Sequence, residues 1–176
     1  MLVTNSFDSL LSTLGIILGA YLSGAQNVAV YVGSAIGASL ALGIFSGFVA
    51  TYMSERAERL RELKETEKAM LKNLRGSIYD KAARIVPVYV ASWSATGSLL
   101  PPVIGVSPFI VSLLLGLETK VKLLVYTSVA IIISELFILG AYLGKISGEN
   151  KIVSGARMAS IGIAATILFA IIDLLI

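Results

Sequence analysis

The sequence predicts an all-α integral membrane protein with five transmembrane helices and a short cytosolic helical segment between the second and the third. Of its 176 residues, 56% are hydrophobic and 14% are charged, and the mean hydropathy is +0.88. This composition is more apolar than that of a typical soluble domain. About five apolar stretches approach the roughly 20 residues that a helix needs to cross the hydrocarbon. They take up most of the chain, so we expect one membrane domain over residues 1–176.

Hydropathy and helix breakers set the expected boundaries of these helices. The predicted spans are residues 2–24, 28–53, 85–115, 121–144 and 158–176, with a cytosolic helical insertion at 54–84. Pro101 and Pro102 should break or kink the third span. The stretch GVSPFIVSLLLG that follows then either extends this span or forms a separate half-span.

The distribution of basic residues predicts the orientation. Residues 54–84 carry nine of the 14 Lys and Arg, and basic loops stay on the cytoplasmic side of a membrane. The first 50 residues contain no Lys or Arg, unlike a signal peptide with its basic start, so we expect the N-terminus to be retained. Five crossings place the N-terminus in the cytoplasm and the C-terminus outside, and we expect a prokaryotic plasma membrane.

Several classes of function are disfavoured by composition. The chain has no Cys and no His, so it offers no thiolate or imidazole to a soft metal and no base to activate a serine. We therefore expect neither an enzyme nor a permanently bound cofactor. The basic residues lie beside the predicted spans, where membrane orientation explains them, so nucleic-acid binding is not expected either.

Two carboxylates fall inside predicted spans. Asp8 lies about six residues, roughly 9 Å, from the inner end of helix 1, and Glu135 lies about nine residues, roughly 13 Å, from the inner end of helix 4. Ionisable residues at such depth usually face the bundle interior or water and usually have a function. The alternatives are that Asp8 caps a helix start and that Glu135 is a protonated, hydrogen-bonded packing residue.

Small residues recur at helical spacing on the first two helices. On helix 1 the stripe is Asp8, Ser12, Gly15, Gly19 and Ser23. On helix 2 it is Ala35, Ser39, Gly43 and Gly47. Faces of this kind let membrane helices approach closely, so both stripes predict a packed seam, either within one subunit or between two.

Several stretches, taken in order, resemble the vacuolar iron transporter family. FDSLLSTLGIILGA is similar to that family's Asp-Gly-containing first helix, with Ser9 at the glycine position. FSGFVATYMSERAE resembles the second helix as it enters the cytosol, and SWSATGSLLPPV resembles the third. LGAYLGKISGENKIVSGARMASIGIAA is similar to the end of the fourth helix, the loop and the start of the fifth.

The resemblance implies a homodimer of five-helix subunits that exports Fe²⁺ or Mn²⁺ from the cytosol in exchange for protons. In that family helices 1 and 2 line the metal path at the subunit interface. By resemblance Asp8 matches the intramembrane carboxylate of helix 1.

The second helix departs from the family pattern Ser-Met-Ala-x-Gly-Glu-Tyr. Gly47 stands at the methionine position and Thr51 at the glutamate position. Met53 could supply a thioether near the inner mouth, that is, the cytosolic end of the metal path. Glu135 could supply the carboxylate that helix 2 has lost.

An acidic stripe adds further candidate metal contacts on the cytosolic segment. Glu55, Glu58, Glu62 and Glu65 share one face of a helix that could continue helix 2. Such carboxylates could gather divalent cations weakly. The alternative is a solvated face on which Arg59 and Arg61 pair with these glutamates.

Three functions stay open at this point. The chain could be a divalent-cation/proton antiporter, a protein of the same fold that moves another solute or only protons, or a non-transporting membrane scaffold.

Overall fold

The computed structural model describes residues 2–116 and 120–175, and side chains to residue 172. Every regular element in this part of the chain is helical, which confirms the predicted all-α class. The elements are α1 (Leu2–Leu22), α2 (Val28–Ala41), a π-helical segment (Leu42–Ala50), α3 (Thr51–Met70), α4 (Ile78–Gly105), α5 (Ser107–Leu115), α6 (Val121–Ser147) and α7 (Lys151–Leu175).

Four of the helices are long and apolar enough to cross a membrane. They are α1, the continuous run Val28–Met70, α6 and α7, and the pair α4 and α5, bent by 57°, makes a fifth if it counts as one span. Large apolar side chains cover the outside of the bundle, with Phe45 70% exposed and Trp93 65% exposed. An apolar exterior of this extent is typical of a surface in contact with lipid.

Helix α1 lies at the centre of the bundle and packs against α2, α4, α6 and α7. Its residues Leu10, Leu14 and Ile17 are fully buried, as are Ile132 and Leu136 of α6. Their spacing of three and four residues gives each helix one apolar face toward the core. The fold is therefore organised around the helix that carries Asp8.

The second predicted helix does not end at residue 53. α2, the π-helical segment and α3 form one run from Val28 to Met70, so residues 54–70 of the predicted cytosolic insertion directly continue helix 2. Residues 78–84 of that insertion belong to α4, which begins at Ile78 rather than near residue 85. After α3, Gly76 adopts a φ of +76°, and its N–H donates to Oδ2 of Asp80 at 3.0 Å. The chain therefore turns at this glycine before α4 begins at Ile78.

The third predicted span breaks at Val106, beyond the prolines expected to break it. Pro101 and Pro102 lie inside α4, which continues to Gly105. Pro108 stands in the first turn of α5, where a missing N–H costs little because the first amides of a helix have no helical partner. The stretch after the prolines thus forms a helix of its own, bent by 57° from α4.

The last helix begins earlier than hydropathy suggests. α7 starts at Lys151 rather than near residue 158, because the side chain of Asn150 accepts the N–H of Ile152 at 3.0 Å. Gly148, two residues before Asn150, has a φ of +75° and ends α6 after Ser147. The polar loop between the two helices is thus only three residues long.

Candidate functional site

Asp8 lies inside α1 and at the surface of the protomer. The helix runs without interruption from Leu2 to Leu22, so Asp8 is too far along it to satisfy the free amides of the first turn. The capping interpretation is therefore not supported. The residue is exposed, as is Ser12 one turn further on, so the carboxylate faces away from the core of its own protomer.

The rest of the helix 1 stripe is partly open. A β-carbon on Gly15 would lie 3.6 Å from the ring of Phe169 in α7, whereas one on Gly19 would meet nothing within 4 Å. Helix α7 thus covers the middle of the stripe. The end that carries Asp8 and Ser12 is exposed.

The helix 2 stripe packs inside the protomer. Ala35 and Ser39 are buried. A β-carbon on Gly43 would lie 2.6 Å from Cγ of Leu99, and one on Gly47 would lie 3.0 Å from Cα of Ala95. Of the two predicted seams, this stripe therefore forms the one within the subunit, against α4.

Gly47 and Thr51 stand where the resemblance puts a methionine and a glutamate, and both are occupied with packing. No side chain fits at Gly47 unless α4 moves. Thr51 is 7% exposed, and its hydroxyl lies 3.1 Å from that of Ser94 in α4. The amide of Asn5 in α1 also donates to Ser94. Hydroxyl and amide groups therefore join α1, α3 and α4 at this point.

Met53 points away from this hydroxyl cluster. Its side chain is 65% exposed, while Thr51, two residues before it, is buried. The thioether predicted near the inner mouth is thus on the outer surface of the protomer.

Glu135 reaches a different part of the molecule. Its Oε2 is buried without a hydrogen-bond partner among the described residues, and it lies 3.7 Å from the position of a β-carbon on Gly105. The first turn of α1 contacts α4 at Gly97, eight residues before Gly105, which is about 12 Å along a helix. Asp8 itself lies six residues, about 9 Å, beyond Leu2 on α1, so by this measure the two carboxylates lie at similar depth.

The acidic stripe lies along α3 and is largely paired. Arg59 lies 3.0 Å from Glu62 and 4.0 Å from Glu55, and Arg61 lies 2.9 Å from Glu65. Among the described residues, no three Asp, Glu, His or Cys side chains form a group that could hold a metal ion. The pairing favours the solvated-face interpretation for these glutamates.

Sequence reasoning missed Ser94, which bonds to Thr51, and Asn5, which donates to Ser94. The available signal was the pair of hydroxyl residues Ser94 and Ser98, one turn apart in the third helix. The break at Val106 had a weaker signal, a glycine at position 105 followed three residues later by proline.

The fold and these residues define a class, a helical bundle suited to a membrane with carboxylates in its apolar helices. The chain is 34% identical to the uncharacterized protein MJ0645 of Methanocaldococcus jannaschii, over 98% of its own length and 86% of that protein. The chain belongs to the same family as this archaeal protein. It matches no established family profile. No solved structure matches it.

Proposed function

We propose that the chain is a transporter for a hard divalent cation, Fe²⁺ or Mn²⁺, which it exports from the cytosol in exchange for protons. The observation that carries the proposal is Asp8, an ionisable side chain inside an apolar helix and exposed at the protomer surface. A carboxylate facing lipid near the centre of a bilayer costs about 2.5 to 3.5 kcal/mol. It is expected to face water, an ion or another protein chain instead.

The chemistry of Asp8 suits a hard cation. Carboxylate oxygens are the preferred ligands of hard divalent ions, and the chain has no Cys or His to select a softer one. Binding a cation requires the ionised carboxylate, so the arrival of a metal ion releases a proton. Because the carboxylate of Asp8 binds either the metal ion or a proton, it exchanges one for the other.

A second copy of the chain would complete such a site. One carboxylate and nearby hydroxyls are too few ligands for a divalent ion, and Asp8 and Ser12 are both exposed on one protomer. A homodimer through α1 and α2 would bring two copies of Asp8 together. Since the small-residue stripe of helix 2 is buried internally, the α2 contribution to the seam is its other face, where Gly33 and Gly37 are open.

A second candidate function is the movement of another solute, or of protons only, by the same fold. It is favoured by the two departures on helix 2, because Gly47 is packed on α4 and the hydroxyl of Thr51 is bonded to Ser94. Neither position offers a free ligand to a metal ion.

Transport by purified protein in proteoliposomes separates the two candidates. Vesicles with a pH reporter inside receive Mn²⁺ or Fe²⁺ outside, and metal entry and internal pH are followed together. Metal entry with opposite proton movement supports the antiporter. Proton movement that does not depend on metal supports the second candidate and contradicts the first.

A further inference from the structure

We propose that a hard monovalent cation of the size of Na⁺ binds between the carboxylate of Glu135 and the backbone carbonyls at the break between α4 and α5. This site is separate from Asp8 and goes beyond the proposed function. It rests on three observations. Oε2 of Glu135 has no hydrogen-bond partner among the described residues, the break between α4 and α5 lies beside it, and the single negative charge of Glu135 balances one monovalent cation.

The break leaves carbonyl groups without their helical donors. In an unbroken helix the amides of residues 108 and 109 would donate to Ile104 and Gly105. Residue 108 is a proline and has no N–H. The amide of Phe109 donates instead to Val106, at 3.0 Å. The carbonyl oxygen of Gly105 therefore receives neither of these amides, whereas that of Ile104 accepts the N–H of Val106. A backbone carbonyl freed in this way is a common ligand for Na⁺ at discontinuous membrane helices.

Glu135 points its side chain at this break. Its Oε2 is buried and has no hydrogen-bond partner among the described residues. It lies 3.7 Å from where a β-carbon on Gly105 would stand, and the same β-carbon would lie 2.8 Å from Cγ1 of Ile132. Only glycine keeps the backbone this close to α6. A buried carboxylate oxygen without a hydrogen-bond partner is costly, and a bound cation removes that cost.

The charges around Glu135 favour one positive charge. α6 packs against α1, α4, α5 and α7, and α5 carries no charged residue. The charged residues of α4 lie in its first two turns, far from Gly105. Lys122 and Lys145 lie near the two ends of α6, at least ten residues from Glu135, and Lys151 is the first residue of α7. Arg157 of α7 is paired with Glu149 at 3.3 Å. On α1 the charged residue is Asp8, an acid. A single carboxylate balances a monovalent ion, whereas a divalent ion would leave an uncompensated charge in the hydrocarbon.

The test is thermal unfolding of the purified chain in lipid nanodiscs as Na⁺ replaces choline at constant ionic strength. A ligand that binds only the folded state raises the unfolding temperature with its concentration. We expect Na⁺ to stabilise the wild-type chain and to lose this effect in Glu135→Gln. The control is Ser128→Ala, which removes another buried, unpartnered oxygen on α6 and should keep the Na⁺ response.

Two results would overturn the site. One is an equal Na⁺ response in wild type and Glu135→Gln. The other is stabilisation of the wild-type chain by acid but not by Na⁺, which would make the ligand a proton. If Glu135→Gln does not fold, Glu135→Asp is the second variant. It keeps the negative charge on a side chain shorter by one methylene, so it should require a several-fold higher Na⁺ concentration for the same rise in unfolding temperature. An unchanged concentration dependence would contradict the site. None of these readouts involves metal flux or Asp8, so the proposed function is tested separately.

Discussion

The hydroxyl oxygens of Thr51 and Ser94 lie 3.1 Å apart and share a hydrogen bond between α3 and α4. Ser94 also accepts the side-chain amide of Asn5 from α1. The position at which the resemblance expects a metal-binding glutamate is thus used to hold three helices together. A transport site in this chain has to rely on other residues.

Thr51→Val keeps the shape of the side chain and removes its hydroxyl. Because Ser94 then loses a buried partner, we expect a destabilisation of about 1 to 3 kcal/mol, measured by thermal unfolding. Thr96→Val is the matched control, since Thr96 is exposed and bonds only to the carbonyl of Trp93 in its own helix. Loss of metal transport with unchanged stability would instead identify Thr51 as a metal contact.

The glycines of the second helix should separate packing within the protomer from packing between protomers. Gly43→Ala places a carbon 2.6 Å from Leu99, and overpacking of this kind costs about 1 to 3 kcal/mol. Gly37→Ala meets nothing within 4 Å and should leave the stability of the protomer unchanged or slightly raised. Equal stability of the two variants in thermal unfolding would contradict the packing of Gly43 on α4.

The same open face tests the proposed dimer. Gly37→Leu should weaken self-association, because a larger side chain prevents close approach of two helices, while leaving each protomer folded. Light scattering after size exclusion, in detergent, measures the mass of the complex. If Gly37→Leu forms a dimer as stable as that of the wild type, α2 does not contribute to the dimer interface.

The ion pairs of the acidic stripe predict a solvated face rather than a surface that recruits metal. Glu58→Gln combined with Glu62→Gln should therefore leave both the metal concentration needed for half-maximal flux and the maximal flux nearly unchanged, and a several-fold rise in that concentration would show instead that the stripe recruits metal. Exposed ion pairs such as Glu62 with Arg59 contribute about 0 to 1 kcal/mol, so stability should change little. Abolished flux in the double variant would place the essential site on α3.

The turn after α3 should depend on pH through Asp80. The N–H of Gly76 and the guanidinium of Arg84 hold the pKa of Asp80 below its ordinary value of 3.8. A depressed pKa means that the contribution to stability is present above the ordinary value and is lost as the pH falls through the lower value of the folded state. Amide exchange in the peptide containing Gly76, corrected for its intrinsic rate, should therefore lose protection in acid, and Asp80→Asn should flatten this dependence. Identical pH profiles for the two proteins would contradict the assignment.

Much of the fold could be predicted from hydropathy, since α1, α2 and α6 begin at residues 2, 28 and 121 as expected. The break at Val106 could not, because proline is tolerated inside a helix when packing supports it, and the sequence does not reveal which proline the tertiary contacts support. For a similar reason, the sequence could not predict whether the small-residue stripe of helix 2 packs within one subunit or between two. A stripe of small residues indicates close approach but does not name the neighbour, which is Leu99 for Gly43.

For the candidate site, the sequence located Asp8 and Glu135 by their charge in apolar helices, but their surroundings depend on tertiary contacts. The exposure of Asp8 and the contact of Glu135 with Gly105 are set by how α1 and α6 pack on α4. The ion pairs of α3 could be predicted from the sequence, because residues three and four positions apart share a helix face.

Flux through Asp8→Asn tests whether Asp8 binds the transported metal ion and exchanges it for protons. Asparagine keeps the size of the side chain but neither ionises nor supplies the negative charge that a divalent ion requires. In proteoliposomes that report metal entry and internal pH together, we predict that Asp8→Asn loses metal-coupled proton movement while it folds and associates as the wild type does. Asp80→Asn, which alters a carboxylate in the first turn of α4, should transport normally. Wild-type flux with unchanged pH dependence in Asp8→Asn would contradict the account.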